Sequence, residues 1–309
     1  MRLEGIHHIS AITGDAQRNL GFYTGVLGLR LNAKTVNQDD PRVYHLFYGD
    51  ENAQPGADLT FFEYPGAIPG RPGAGMVHRI VHRVGSPAAL AFWAERFEDH
   101  DVAFDLDGGS LRFSDPEGLG HELVVDASGD APLAAVHPEI PAEHALRGFE
   151  GVRAYSRDPE GSAVVLEKLM GAQAADDRFE LRGDKRGGWI AFDAAPEQPG
   201  RQSAGTVHHV AWGTYDADLA EWIDLVSRVG IPNSGYVDRH YFHSLYFREP
   251  GGVLYELATE EPGFLVDGLD VAELGTKIIL PPFLEDRRAE IEPRLTPLPD
   301  PRADWAVTQ

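Results

Sequence analysis

Residues 5–13 read Gly-Ile-His-His-Ile-Ser-Ala-Ile-Thr, and residues 206–214 read Thr-Val-His-His-Val-Ala-Trp-Gly-Thr. Both stretches are rich in β-branched residues, which favours short strands. Each is followed by an aspartate that can begin a helix and by apolar residues at helical spacing, which stop at Gly28 and Gly230. The order of strand and then helix occurs twice, which indicates an internal repeat.

A second repeat joins residues 114–125 to residues 248–259, where a Pro-Gly turn leads into a strand and Glu122 matches Glu256. Together the repeats predict four strand-helix-strands modules. They lie at about residues 4–64, 75–127, 146–195 and 205–260, the third being the least regular. We therefore expect an α+β fold in which four βαβββ modules, arranged as two tandem halves, form two open barrel-like sheets.

The domain organisation follows from where proline, glycine and alanine accumulate. Segments 65–74 and 128–145 have this composition and are interpreted as linkers. The prediction is an N-terminal half at residues 1–130, a C-terminal half at 146–260 and a Pro-rich extension at 261–309 that wraps around the body and ends in a frayed terminus.

Composition excludes several classes of function. Lys and Arg number 27 against 49 Asp and Glu, and the net charge of −22 argues against a nucleic-acid partner. The absence of cysteine excludes disulfides, thiolate metal sites and cysteine nucleophiles. Neither a signal peptide nor a long apolar run is present, so no membrane association and a cytoplasmic location are expected. The oligomeric state stays open, and a homo-oligomer is compatible with the sequence.

Alignment of the repeats places candidate metal ligands in equivalent positions. In the first and fourth modules these are His8, His209 and Glu256. Two imidazoles and one carboxylate form the facial triad of mononuclear non-haem Fe(II) oxygenases, which leaves positions open for substrate and dioxygen. We therefore expect one metal site, built by the first and fourth modules.

The second and third modules carry Arg79, Glu122 and Gly151 at the matching positions. An arginine and a glycine cannot replace two imidazole ligands. The cavity of these two modules is therefore expected to be vestigial.

The choice within each His-His pair depends on strand geometry. Alternation on a strand lets only one member of each pair point into the cavity. His8 and His209 are preferred because a β-branched residue follows each and begins the apolar run. Periodicity alone leaves His7 with His208 nearly as good.

Three motifs resemble those of the hydroquinone-type ring-cleaving dioxygenases, which belong to the glyoxalase, bleomycin-resistance and extradiol dioxygenase (vicinal-oxygen-chelate) superfamily. The motifs are residues 7–15, 238–247 and 248–257, and the resemblance runs from residue 4 to about 295. It implies Fe(II), sometimes Mn(II), at the positions of His8, His209 and Glu256. It also implies that His7, Arg239 and Tyr246 act as catalytic residues around an aromatic diol that is cleaved with O2.

Physical roles are available for these residues. Tyr246 can exchange a proton with a substrate oxygen, and Arg239 offers a fixed cation to a phenolate. The competing interpretations are cross-strand packing for Tyr246 and a surface ion pair with Asp238 or Glu249 for Arg239. No role is assigned to His240 or His243. One of them is a candidate to line the cavity.

Two other functions fit the same scaffold. A glyoxalase-like isomerase or transferase would need a second carboxylate ligand, for which Glu63 at the end of the first module is the candidate. A non-catalytic protein that sequesters an aromatic drug would not need a complete triad.

Overall fold

The computed structural model describes residues 1–303 and 305. The strands form two eight-stranded sheets, and the fold is mixed α+β as expected. Among these residues no helix is long and apolar enough to cross a lipid bilayer. The cytoplasmic location stays a prediction.

The first two predicted modules each consist of a strand, a helix and three strands. The first contains β1 (Ile6–Thr13), α1 (Ala16–Leu20), β2 (Arg30–Asn37), β3 (Asp40–Gly49) and β4 (Asp58–Glu63). The second contains β5 (Met76–Val84), α2 (Pro87–Asp99), β6 (Phe104–Asp107), β7 (Ser110–Ser114) and β8 (Gly120–Val125).

The last two modules repeat this order. The third contains β9 (Phe149–Tyr155), α3 (Pro159–Val164), β10 (Gln173–Ala175), β11 (Arg178–Arg182) and β12 (Gly187–Asp193). The fourth contains β13 (Thr206–Thr214), α4 (Asp216–Arg228), β14 (Val237–Asp238), β15 (Phe242–Arg248) and β16 (Leu254–Pro262).

Local sequence explains where the helices begin and end. The Asp15 side chain accepts a hydrogen bond from the Arg18 amide and caps α1. The π-helical turns Gly21–Val26 and Val165–Leu169 continue α1 and α3. Gly28 has φ +68°, a conformation that glycine adopts without strain, and it follows the first of these turns.

The sheets pair modules across the two halves of the chain. The strand order is β14-β15-β16-β13-β1-β4-β3-β2 in the first sheet and β10-β11-β12-β9-β5-β8-β7-β6 in the second. The first module therefore pairs with the fourth through antiparallel β1 and β13, and the second pairs with the third through β5 and β9. The division of the chain near residues 130–146 stays a prediction.

The C-terminal segment packs against the first sheet. Short helical pieces lie at Val271–Glu273, Pro282–Glu285 (α5), Arg288–Ile291 (α6) and Glu292–Arg294. Leu284 and Ile291 are buried in the main core, and Ile278 bridges to Lys34 on β2. Residues 304 and 306–309, where the frayed end was expected, lie outside the described residues.

Candidate metal centre

Strand irregularities at the middle of the first sheet bring two histidine pairs together. β1 and β13 run antiparallel, and their register shifts at His7 and at His208, each of which is an extra residue in its strand. A bulge of this kind re-aims the neighbouring side chain and bends the strand. The next residue in each strand, His8 or His209, points to the same interior as its partner.

Glu256 completes the group from the adjacent strand. It lies on β16 with its Cα opposite Ala211 on β13 and opposite Tyr246 on β15. Its side chain is fully buried, where an isolated carboxylate is unfavourable unless it is paired, hydrogen-bonded or bound to a cation. Ser244 donates a hydrogen bond of 2.5 Å to Glu256 Oε1, which leaves Oε2 to face the histidines.

The three inward atoms form a small triangle. His8 Nε2 lies 3.2 Å from His209 Nε2 and 3.1 Å from Glu256 Oε2, and His209 Nε2 lies 2.8 Å from Glu256 Oε2. Despite these short distances, Oε2 has no hydrogen bond of acceptable geometry to any described residue. The ligand atoms are thus directed toward a common point between them.

These distances fit a divalent metal. Three ligands at about 2.1 Å from an ion and at right angles to one another would lie about 3.0 Å apart, which matches the observed edges. Within residues 1–303 and 305, His8, His209 and Glu256 are the one cluster of three or more such side chains close enough to share an ion. The residues therefore fit the facial arrangement of two imidazoles and one carboxylate.

The electrostatics keep the ligands in their metal-binding states. Burial alone would raise the pKa of Glu256, but the nearby His8 and His209 hold it well below its usual range. Burial lowers the pKa of His209, which favours its neutral form. A deprotonated carboxylate and neutral imidazole are the forms that a metal binds.

His7 fixes the tautomer of His8. His7 Nε2 lies 3.1 Å from the Thr259 carbonyl oxygen, which can only accept, so His7 carries its proton on Nε2. His7 Nδ1 is then an acceptor, and His8 Nδ1, 3.0 Å away, must donate to it. The lone pair of His8 is consequently left on Nε2, directed toward His209 and Glu256.

The equivalent pair on β13 has a similar contact. The Nδ1 atoms of His208 and His209 lie 2.8 Å apart, so His208 can hold His209 in the same ligand-ready tautomer. Burial, followed by the charge of His209, lowers the pKa of His208 to about 3. The repeated sequence therefore supplies a ligand and its orienting neighbour twice.

A cavity of about 380 Å³ opens next to the triad. Residues of β2, at one edge of the sheet, and of β15, next to the other edge, both contribute to it, so the sheet curls around this space. His8 and His209 lie at its inner end. The aromatic residues of its wall are Phe47, Phe62, Tyr64, Tyr241, Phe242 and Tyr246.

Arg239 and Tyr246 both line this cavity. The Tyr246 ring packs edge-on against His209 with centroids 5.7 Å apart. Arg239 Nε lies 3.4 Å from the Tyr246 hydroxyl, and its two terminal nitrogens donate to both oxygens of Asp39 at 3.1 and 3.0 Å. Asp39 is thus the ion-pair partner, rather than the expected alternatives Asp238 and Glu249.

His7 occupies a different place from the other two proposed catalytic residues. It lines a neighbouring cavity of about 190 Å³, which includes His8 but neither Arg239 nor Tyr246. Its contacts are with His8 and with the Thr259 carbonyl. The structure thus places it behind a ligand rather than against the larger cavity.

The expectation that His240 or His243 lines the cavity is wrong. His240 contacts Asp267 at 2.8 Å, and His243 contacts Asp216 at 2.6 Å on the surface. Both aspartates are far away in the sequence, so these pairs were not visible from local motifs.

Glu63 does not join the triad. It accepts hydrogen bonds from the Ala16 amide at 3.1 Å and from the Thr296 hydroxyl at 3.0 Å. On β4, Thr60 and Phe62 face the cavity side, so alternation directs Glu63 to the opposite face. A second carboxylate ligand from this position is therefore not supported.

In the second sheet the equivalent positions hold no such ligand set among the described residues. Arg79 and Arg112 contact the two oxygens of Glu122 at 3.3 and 3.2 Å. A Cβ atom at Gly151 would lie 2.2 Å from the Trp189 ring, so this indole occupies the space of the missing ligand. The carboxylate here is compensated by guanidinium groups, but the expectation of a vestigial cavity is wrong, because Arg79 and Arg112 line a cavity of about 870 Å³.

Sequence reasoning did not assign roles to His45, His208 and Ser244. His208 could have been found from its repeat partner His7. His45 lines the cavity and Ser244 contacts Glu256, but neither has an equivalent in the repeats that would have pointed to it.

Comparison with known proteins identifies relatives along nearly the whole chain. The model of the glyoxalase/bleomycin resistance protein/dioxygenase superfamily matches residues 5–123. The chain is 44% identical, over 96% of its length and 100% of the relative, to Bacillus subtilis MhqA, which is provisionally named a ring-cleaving dioxygenase. It is 30% identical to chlorohydroquinone/hydroquinone 1,2-dioxygenase of Sphingobium indicum, over 94% of this chain and 95% of that protein.

A solved structure supports the same relationship. The crystal structure of a Bacillus subtilis protein, provisionally described as a dioxygenase, matches with a TM-score of 0.89 and 37% identity. The match covers 97% of this chain and 98% of the other chain.

Proposed function

Because the chain belongs to the ring-cleaving dioxygenase branch of the glyoxalase, bleomycin resistance protein and dioxygenase superfamily, we propose that it is an Fe(II)-dependent dioxygenase. It would insert both atoms of O2 into an aromatic diol of the hydroquinone or catechol type. The observation that carries this proposal is the convergence of His8, His209 and Glu256 at one end of an aromatic cavity. Mn(II) is the second candidate metal.

The triad would hold the ion from one side, with Nε2 of His8 and His209 and Oε2 of Glu256 as ligands. When bound, such an ion lowers the pKa of a coordinated diol hydroxyl and brings the diol and dioxygen together. The protein ligands leave the cavity side open for these two reactants.

The aromatic wall would bind and orient the ring. Phe47, Phe62 and Phe242 present apolar surface to the cavity, and apolar walls favour a flat aromatic ligand over water. A ring held next to the triad is already in position when the reaction begins, which lowers the entropic cost of bringing the reactants together.

Tyr246 would manage a proton at the substrate oxygen. Burial, followed by the charge of Glu256, raises the pKa of its phenol, so the hydroxyl stays protonated and can donate. Arg239, held by Asp39, would stabilise negative charge that develops on the diol. His7 would act as a positioning residue through His8.

The alternatives have less support. The isomerase would need a fourth protein ligand, and Glu63 is bound to α1 and Thr296 instead. A non-catalytic binding protein has no need of three convergent buried ligands.

The test is oxygen uptake by protein loaded anaerobically with Fe(II) and offered a panel of hydroquinones and catechols. We expect uptake with a ring-opened product, and loss of both uptake and bound iron in His209→Ala. His82→Ala, which removes a buried histidine of the second sheet, should keep its iron. Bound iron without uptake across the panel would contradict the proposal, and turnover of methylglyoxal with glutathione would support the isomerase.

A further inference from the structure

His45 is a polar group in the substrate cavity to which the proposed mechanism gives no role. It lies on β3, and its ring packs at a tilt against the rings of Phe47 and Phe62, with centroids 4.1 and 4.2 Å away. It also lines the cavity that contains His8 and His209. It is therefore placed against the edge or face of any ring bound there.

A hydrogen-bonded chain behind His45 determines which of its nitrogens carries the proton. His45 Nε2 lies 2.9 Å from Thr60 Oγ1, which lies 2.6 Å from Ser10 Oγ. Ser10 and Thr60 are fully buried, and Ser10 Oγ has no other hydrogen-bond partner in the described part of the chain.

Only one direction of this chain uses every hydroxyl proton. If Ser10 donates to Thr60 and Thr60 donates to His45 Nε2, both protons have acceptors. In the reverse direction the Ser10 hydroxyl would be a buried donor without an acceptor, which is unfavourable. His45 Nε2 is thus an acceptor, and the ring proton lies on Nδ1.

His45 Nδ1 has no partner among residues 1–303 and 305 and is not sealed from the cavity. Burial lowers the pKa of His45 well below its usual range, so the ring is neutral. A neutral N–H group can donate a hydrogen bond to an uncharged hydroxyl oxygen and does not need an anionic partner.

The position of His45 relative to the triad indicates which oxygen it meets. Ser10 lies two residues beyond His8 on β1, about 6.6 Å along the strand, and Thr60 and His45 follow on β4 and β3. His45 is not one of the three ligands: it lies one strand further from β1 than Thr60, and its ring enters the same cavity as His8 and His209. In a catechol both oxygens are adjacent and can reach one ion, whereas in a hydroquinone the second oxygen is on the opposite edge of the ring.

We propose that His45 donates a hydrogen bond from Nδ1 to the diol oxygen that does not bind the metal, and that it thereby favours para-diols over catechols and monophenols. This inference rests on the proposed function, since it assumes a diol bound at the triad. His45 is a specificity-determining residue in this scheme, and Ser10 and Thr60 are positioning residues that set its tautomer.

The test measures binding, separately from turnover. Anaerobic Fe(II)-loaded protein is titrated calorimetrically with hydroquinone and with phenol, which lacks the second oxygen. We expect His45→Phe to weaken hydroquinone binding about tenfold and to leave phenol binding unchanged, because the aromatic packing is kept and one hydrogen bond is lost. His45→Gln, which retains an N–H donor, should restore part of the affinity.

His82→Phe is the matched control, because it replaces a buried, aromatic-packed histidine of the second sheet. It should alter neither affinity. Equal weakening of hydroquinone and phenol by His45→Phe, or no weakening of either, would overturn the proposal.

A second measurement does not depend on metal or turnover. Nitrogen-15 NMR of the metal-free protein should show His45 protonated on Nδ1, with the resonance assigned by its absence in His45→Phe. Thr60→Val removes the hydroxyl group that donates to Nε2. We therefore expect this variant to lose the preference for protonation on Nδ1. A wild-type His45 protonated on Nε2 would refute the inference, whereas absence of oxygen uptake with the wild type would refute the proposed function alone.

Discussion

Ser244→Ala tests how far the triad depends on the group that orients its carboxylate. Ser244 Oγ donates to Glu256 Oε1 at 2.5 Å, and both side chains are fully buried. A hydrogen bond to a charged group contributes about 1.5–3 kcal/mol, and loss of a group that orients a metal ligand typically lowers metal affinity about 10–100-fold. We expect a loss of stability and of metal affinity in these ranges.

Metal affinity is measured by Mn(II) titration followed by electron paramagnetic resonance, and stability by urea unfolding of the metal-free protein. The control is Ser162→Ala, which removes a 2.6 Å bond from a fully buried serine to the buried carboxylate of Glu249, outside the triad. This variant should lose stability but keep its metal affinity. If Ser244→Ala binds Mn(II) within about twofold of wild type, or if both variants weaken it equally, the reasoning about carboxylate orientation is refuted.

Three further predictions concern other parts of the molecule. Burial lowers the pKa of His82 from 6.5 to about 3, so as pH falls below 6.5 the unfolded chain takes up a proton that the folded protein does not. Urea unfolding should show wild type losing up to about 1.4 kcal/mol per pH unit relative to His82→Phe between these values, and parallel curves would contradict this. Gly151→Ala places a Cβ atom 2.2 Å from the Trp189 ring and should lower stability by about 1–3 kcal/mol in thermal unfolding. Gly21→Ala, which meets no atom within 4 Å, should be neutral or slightly stabilising. Tyr246→Phe should lower kcat in oxygen uptake about 10²–10⁴-fold with little change in KM, and a change confined to KM would assign Tyr246 to binding alone.

The fold could be predicted from the sequence because the repeats preserve both patterning and position. The matched pairs His8 with His209 and Glu122 with Glu256 indicate which strands are equivalent, and the first strands of the modules pair with each other, β1 with β13 and β5 with β9. The prediction that the first and fourth modules share one interior follows from the distribution of possible ligands. The structure pairs those two modules in the first sheet.

What the sequence could not reveal depends on distant partners and on strand irregularity. Strict alternation would send His7 and His8 to opposite faces, yet the bulge allows their Nδ1 atoms to approach within 3.0 Å. His45 acquires its environment from Thr60 and Ser10, which no local motif connects to it. Arg239 likewise has its ion-pair partner, Asp39, 200 residues away.

The difference between the two sheets follows from the cost of a buried carboxylate. Glu256 and Glu122 occupy equivalent positions, and both are buried in the middle of a sheet, where a negative charge must be compensated. In the second sheet two guanidinium groups, from Arg79 and Arg112, provide that compensation as part of the chain.

In the first sheet the neighbours of Glu256 are instead two imidazoles: His7 fixes the tautomer of His8, and burial lowers the pKa of His209. These imidazoles hold the pKa of Glu256 low despite its burial, and their Nε2 atoms, which lie within 3.1 Å of its free oxygen, also offer ligand atoms to an added cation. Replacing Arg79 with histidine would not suffice to build a site in the second sheet, because the Trp189 ring occupies the space next to Gly151. One duplicated scaffold thus satisfies the same buried carboxylate in two ways, with guanidinium groups of the chain in the second sheet and with a set of metal-ligand side chains in the first.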